Sequence, residues 1–232
     1  TITETDLIRR KWLNNDFGGL TYSLNHKMGD IDLVLGGANN KYSGQHYGNV
    51  IWTQYASDTD LNHQYYWNKA EKLEHNFYAK GNYNYSDATN LYVDLQRRIV
   101  DYIFVGYDKA GNAAEQQVAS AFFNPKFGLF HMLNDNQTIY ASFAVANKEP
   151  NRNDYVESTP NFRPKHETLY DTELGYKQSG EKLALGINIY QMDYKNQLVL
   201  TGQINDVGAN TRTNIDESFR RGVELEGSFI FA

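Results

Sequence analysis

The amino-acid sequence predicts an all-β chain, an antiparallel up-and-down meander that makes up an incomplete portion of a transmembrane β-barrel. Three observations predict it. Apolar residues recur at every second position, the connections alternate between short and long, and the composition is rich in aromatics and glycine yet polar on average. Of 232 residues, 18 are Tyr, 12 Phe, 3 Trp and 18 Gly, with only 4 Pro. The mean hydropathy is -0.65. A membrane barrel reconciles these values, because each strand turns a polar face to the lumen and only alternate residues meet lipid.

Taken in order, strands are expected around Leu20 to Leu24, Ile31 to Gly37, Asn76 to Tyr85, Asn90 to Arg98, Phe123 to Leu133, Thr138 to Ala146, Thr168 to Lys177, Lys182 to Tyr190 and Val223 to Phe231. The clearest is Lys182 to Tyr190, where Leu183, Leu185, Ile187 and Ile189 share one face and Ala184, Gly186, Asn188 and Tyr190 the other. From Asn90 to Arg98, Leu91, Val93 and Leu95 oppose Tyr92, Asp94, Gln96 and Arg98. A slip of one residue would reverse every such assignment. From Asn76 to Tyr85 the apolar face is Phe77, Ala79, Gly81, Tyr83 and Tyr85.

Short polar turns are expected at Asn25 to Asp30, Ser86 to Asn90, Asn134 to Gln137 and Gln178 to Glu181. Between them lie long segments that read as irregular: Asn39 to Lys72, Asp101 to Ser120, Asn147 to His166 and Asn196 to Phe219. Soluble meanders keep most connections short, whereas outer-membrane barrels carry short periplasmic turns on one rim and long extracellular loops on the other. About nine strands are counted, and single-chain bacterial barrels normally close with an even number, so residues 1–232 read as one partial barrel domain. Thr1 lacks a start signal and the sequence stops at Ala232 within a strand-like run, which fits a piece of something larger.

Other classes are disfavoured. A net charge of -6 does not suggest nucleic-acid binding. With no Cys there is no disulfide framework or thiolate metal site. No apolar run approaches the roughly 20 residues of a membrane-spanning helix. No Gly-rich phosphate loop, HExxH or Gly-x-Ser-x-Gly elbow is present, so neither an enzyme nor a cofactor is predicted.

Several strings resemble the TonB-dependent outer-membrane receptor family. They are NPKFGL at Asn124 to Leu129, IYASFAVANKEPNRNDY at Ile139 to Tyr155, ETLYDTELGYK at Glu167 to Lys177 and RRGVELEG at Arg220 to Gly227. The earlier LIRRKWLNNDFGGLTYSL, YSGQHYGNVIW and YVDLQRRIVDY are similar to that family's middle barrel, so the resemblance covers nearly the whole chain. It implies a 22-stranded barrel with an N-terminal plug. It also implies energy from the TonB complex, a place in the outer membrane of a Gram-negative bacterium, and uptake of a scarce nutrient. A ferric siderophore or other iron complex is the favoured cargo. No plug, TonB-engaging motif or terminal strand is recognised here, so this stretch alone is not expected to transport.

Candidate ligand contacts are the aromatic run Tyr42, Tyr47, Trp52, Tyr55 and Trp67 with His46, and the charged pair Arg152 and Asp154 on a loop able to close over an anionic iron complex. The aromatics equally suit a girdle at the outer leaflet. His46, His63 and His75 match no compact metal pattern, and no metal site is predicted. Lys80, Asp94, Arg98, Lys126, Asp171, Glu173, Glu224 and Glu226 fall on the lumen face, where they either hold the plug or form a hydrated, mutually neutralising wall. Two rival classes are a secreted carbohydrate-binding β-sandwich, which requires a dry core between two sheets, and an outer-membrane barrel hydrolase, which requires closure. Isolated, the chain would expose two sheet edges and an apolar face, and self-association is expected.

Overall fold

The computed structural model describes residues 4–55, 60–109, 111, 113–156, 158, 163–204 and 210–231. Nine strands follow one another: β1 Leu7–Met28, β2 Ile31–Thr53, β3 His63–Ser86, β4 Thr89–Tyr107, β5 Gln116–Asn134, β6 Gln137–Lys148, β7 Glu167–Ser179, β8 Leu183–Ile204 and β9 Asn210–Phe229. A short helix, α1 Arg152–Val156, lies between β6 and β7 and is the one helix among the described residues. The strands form one sheet in sequence order, every neighbour antiparallel. This is the up-and-down meander the alternating pattern predicts. No second sheet covers it among the described residues, which removes the β-sandwich reading.

Residues paired across antiparallel strands share a face, so the register sorts the side chains. On one face, Met28, Ile31, Tyr83 and Leu91 form a row across β1 to β4, and Leu24, Leu35, Ala79 and Leu95 form another. The first continues across the rest of the sheet as Leu129, Ala141, Leu174, Ile189 and Val223. Most of these large side chains are exposed, Leu24 at 64% and Val223 at 62%. Such a belt has no reason to face water and every reason to face lipid.

The short connections are shorter than expected. β1 turns into β2 through Gly29 and Asp30 alone, with Gly29 at φ 55°, a left-handed conformation that glycine adopts without steric cost. The long connections require a correction. Most of Asn39 to Lys72 is strand, the ends of β2 and β3, and only 54–62 connects them. Likewise β4 runs to Tyr107, β5 starts at Gln116, and β8 and β9 reach into Asn196 to Phe219. The reason is physical. β3 has 24 residues, whereas crossing the bilayer takes about 9–11. Beyond the belt both faces can be polar, so the strand continues through Asp16, Lys41, Lys69, Glu71 and Asp101 on its outward side while the period-two signal disappears.

The inward face is polar near the short turns but not along its whole length. Higher up, Ala70, Val100, Tyr102, Phe104 and Phe122 are buried and pack with Tyr155 of α1. Phe104 is wholly inaccessible. Fully burying an aromatic or aliphatic side chain is worth about 1.5–3 kcal/mol, so a few such residues suffice to hold the connection carrying α1 against the inner wall.

Candidate ligand-binding site

The site is built where that connection meets β2, β3 and β4. Arg152, the first residue of α1, sends its guanidinium onto the wall. Nε and Nη2 donate to Asn68 Oδ1 at 3.2 and 2.5 Å, Nη2 also to Asn68 O at 3.1 Å, and Nη1 to Tyr42 Oη at 3.1 Å and Gly44 O at 3.2 Å. Tyr42 in turn donates to Asn15 Oδ1 at 2.9 Å. Asn68 is 5% exposed, and Arg152 satisfies its amide oxygen. The planar fork of Arg allows this multiple engagement, which a lysine could not reproduce.

A second tether lies three residues earlier in the chain, before α1 begins. Glu149 accepts from Arg98 at 2.8 Å and pairs with Lys72. Arg98 also holds Glu74 through two parallel bonds of 2.7 and 2.9 Å, and Lys72 meets Glu74 at 3.2 Å. Two cations and two anions thus close a neutral, half-buried square in which every charge has an opposite neighbour, the condition under which desolvating charges is tolerable. The peptide oxygen of Tyr155 accepts from Gln116 at 2.8 Å, and Asp154 faces Arg212 at 3.4 Å while capping the Asn151 amide at 2.8 Å.

Beside Arg152 lies a cavity of about 140 Å³ lined by Lys11, His46, Tyr66, Asn68, Asn153 and Val156 among others. His46 Nε2 is buried and has no hydrogen-bond partner. Burial, and then the nearby Arg152 charge, push the His46 pKa down to about 4, so the imidazole is neutral at physiological pH. The cavity is lined by the cationic Lys11 and Lys109 and the anionic Asp108, with Arg152 close by, so cations outnumber the one carboxylate and the neutral ring nitrogen adds an uncharged polar contact in a niche suited to an anionic group. Among the described residues no group of three or more His, Asp or Glu comes together to hold a metal ion.

Of the ligand candidates, the structure brings together Tyr42, His46 and Arg152. Asp154 sits on the same connection but is engaged by Arg212. Tyr47 and Trp67 pair with each other on the opposite, outward face. Trp52 is near the rim end of β2, and Tyr55 follows it in the connection, with its amide held by Thr5 Oγ1. Sequence reasoning missed Asn68, Lys72, Glu74 and Glu149 as a set. The signal was present, since Asn68, Ala70, Lys72 and Glu74 alternate on one face, but apolar periodicity does not register a polar stripe.

Lower on the same inner face stand Lys80, Asp94, Lys126, Asp171, Glu173, Glu224 and Glu226, each opposite another inward residue in the register, whereas Arg98 stands higher, in the square with Lys72, Glu74 and Glu149. Lys80 reaches Asp94 at 3.6 Å. An open depression of about 630 Å³ is lined by four of these charges, Lys80, Asp94, Lys126 and Asp171, with Asn76 and Tyr78 among others. One oxygen each of Asn76, Asp94 and Asp171 is buried there without a partner. Among the described residues no helix is long and apolar enough to cross a membrane, a statement that does not bear on strands.

No curated protein sequence matches the chain. Solved structures do. A chain described as the copper transporter OprC superposes with a TM-score of 0.80 at 17% identity, over 97% of this chain and 36% of its own. The ferric-catecholate import receptor Fiu of E. coli K12 gives 0.63 at 15%, over 97% and 36%. The ferric yersiniabactin uptake receptor FyuA of Yersinia pestis gives 0.63 at 15%, over 97% and 34%. At such identities the likeness establishes the fold, and the chain spans about a third of the length of these proteins. The family model described as TonB dependent receptor-like, beta-barrel matches residues 2–231. The nine-stranded meander, the apolar belt and this match lead to one conclusion: the chain belongs to the TonB-dependent receptor β-barrel family.

Proposed function

We propose that this chain forms part of the wall and outer mouth of an outer-membrane receptor that imports a scarce nutrient, a ferric siderophore or similar iron complex, with energy from the TonB complex. The observation that carries the reading is the connection around α1, drawn onto the inner wall by Arg152 and Glu149 and leaving an electropositive niche beside His46 and Lys11. An anionic chelate entering from outside meets this niche before it meets the lumen. Neighbours described as carriers of copper and of ferric catecholates support metal-complex uptake as the class. Tyr42, His46 and Arg152 are the proposed contacts, with Asp154 fixing the connection.

In the same reading the polar depression and the inward charges, from Lys80 across to Glu226, face a plug domain of the intact receptor. Its polar groups would complete the unpartnered oxygens of Asn76, Asp94 and Asp171, which are costly to leave buried and unpaired. Lipid meets the opposite face.

The test is uptake of radiolabelled ferric siderophores by cells carrying the intact receptor. Wild type is expected to accumulate label only with a functional TonB complex, and Arg152→Ala to weaken ligand binding about tenfold or more, a charge-assisted contact being worth roughly 1.5–3 kcal/mol. TonB-independent accumulation, or full binding by the variant, sinks the proposal.

A further inference from the structure

The outward face carries a feature that neither the belt nor the inner site uses. Trp12 pairs with Tyr47, Tyr47 with Trp67, and Trp67 with Tyr107, so one cross-strand row on four adjacent strands is wholly aromatic. Trp12 and Tyr47 are stacked, centroids 6.3 Å apart and planes 17° from parallel. Trp12 is 46% exposed, and the Arg10 guanidinium lies 5.9 Å from its ring centre. The row is not the membrane girdle. Between it and the belt lie outward rows that are polar on β1 to β3, Asn14, Gln45 and Lys69 directly below and then Asp16, Ser43 and Glu71, and that end on β4 in Val105 and Ile103. Trp67 is ten residues up β3 from Phe77, about 33 Å along the strand and roughly 25 Å in height for a strand tilted near 40°.

We propose that this row is a docking surface for the core oligosaccharide of a lipopolysaccharide molecule standing beside the barrel. The belt below it fixes what an outward residue at this height meets. The face continues from lipid into the zone occupied by the sugars attached to that lipid. The chemistry agrees, because flat indole and phenol faces stack on the C–H faces of pyranose rings while their polar edges and Arg10 reach hydroxyl and phosphate groups. A row spaced by one strand, about 4.8 Å, presents successive rings at close to the repeat of a saccharide chain lying across the strands.

The experiment titrates the intact receptor in detergent with lipopolysaccharide bearing a complete core and, separately, with the same lipid A carrying only its two innermost sugars. Native mass spectrometry reads affinity. Full-core glycolipid is expected to bind about tenfold tighter, with the preference abolished in the double variant Trp12→Ala, Trp67→Ala and largely kept in Trp12→Phe, Trp67→Phe. Oxidative footprinting of the wild type needs no variant, and full-core glycolipid alone should protect Trp12 and Trp67. Equal affinity for both glycolipids, an alanine variant that keeps the preference, or protection that instead follows receptor self-association or a co-purifying protein overturns the proposal.

Discussion

At the scale of single residues, the seating of α1 on the inner wall depends on a few side chains whose partners lie far away in sequence. His46 is neutral in the folded state because burial and Arg152 hold its pKa near 4, whereas a histidine released to solvent titrates near 6.5. Its contribution to seating α1 is therefore fully present above about pH 6.5. It is lost as pH falls towards 4, because the released state binds the extra proton. The half-buried ring is partly screened by solvent, so the effect is on the order of 1 kcal/mol. Hydrogen exchange of residues 149–156 should accelerate at pH 5 relative to a His46→Gln control at the same pH, and an equal rate in both would refute the coupling. Gly175 is a different case. A Cβ there would lie 2.1 Å from the Tyr140 ring, whose hydroxyl donates to Asn188 on β8 at 3.1 Å. Gly175→Ala should cost about 1–3 kcal/mol of barrel stability by displacing that ring, read as a lower temperature for the heat-induced mobility shift on gels.

At the scale of elements, the strands divide into a membrane part and an external part with different rules. Leu95 lies in the belt and Ile103 four outward positions higher, beside Glu71. Leu95→Arg should lower barrel stability by about 2–4 kcal/mol, and Ile103→Arg by about 0–1, as measured by folding into bilayers from urea. Equal penalties would mean that the belt has been placed wrongly. This division also explains what was legible. The belt segments of β4 and β8 stand out because Leu91, Val93 and Leu95 face lipid while Tyr92, Asp94 and Gln96 face the lumen, and because the residues from Leu183 to Ile189 alternate in the same way. The upper half of β3, with Asn68, Lys69, Ala70 and Glu71, meets water outside and a mixed interior inside, so its sequence resembles a loop although its backbone pairs on both sides. Asn147 to His166 reads as an irregular connection, yet Tyr155 is 4% exposed and Glu149 is ion-paired.

At the scale of the whole molecule, β1 and β9 each have only one neighbour among the described residues, and the belt leaves large apolar side chains on the surface. The isolated chain should therefore associate through its edges or require detergent, and a detergent-free monomer in analytical ultracentrifugation would contradict that expectation. By itself the sequence determined the strand class, a count of about nine strands, their up-and-down order, the face that apolar residues take within the belt and the family, because period-two patterning and turn spacing are local properties written along the chain. Only the tertiary structure decided where the strands end above the membrane, that α1 folds inward, and that Arg152 meets Asn68 and Tyr42 while Glu149 meets Arg98 and Lys72. It alone aligned Trp12, Tyr47, Trp67 and Tyr107 in one row. Such contacts join residues tens of positions apart, and they follow from strand register and side-chain packing, which no local pattern encodes.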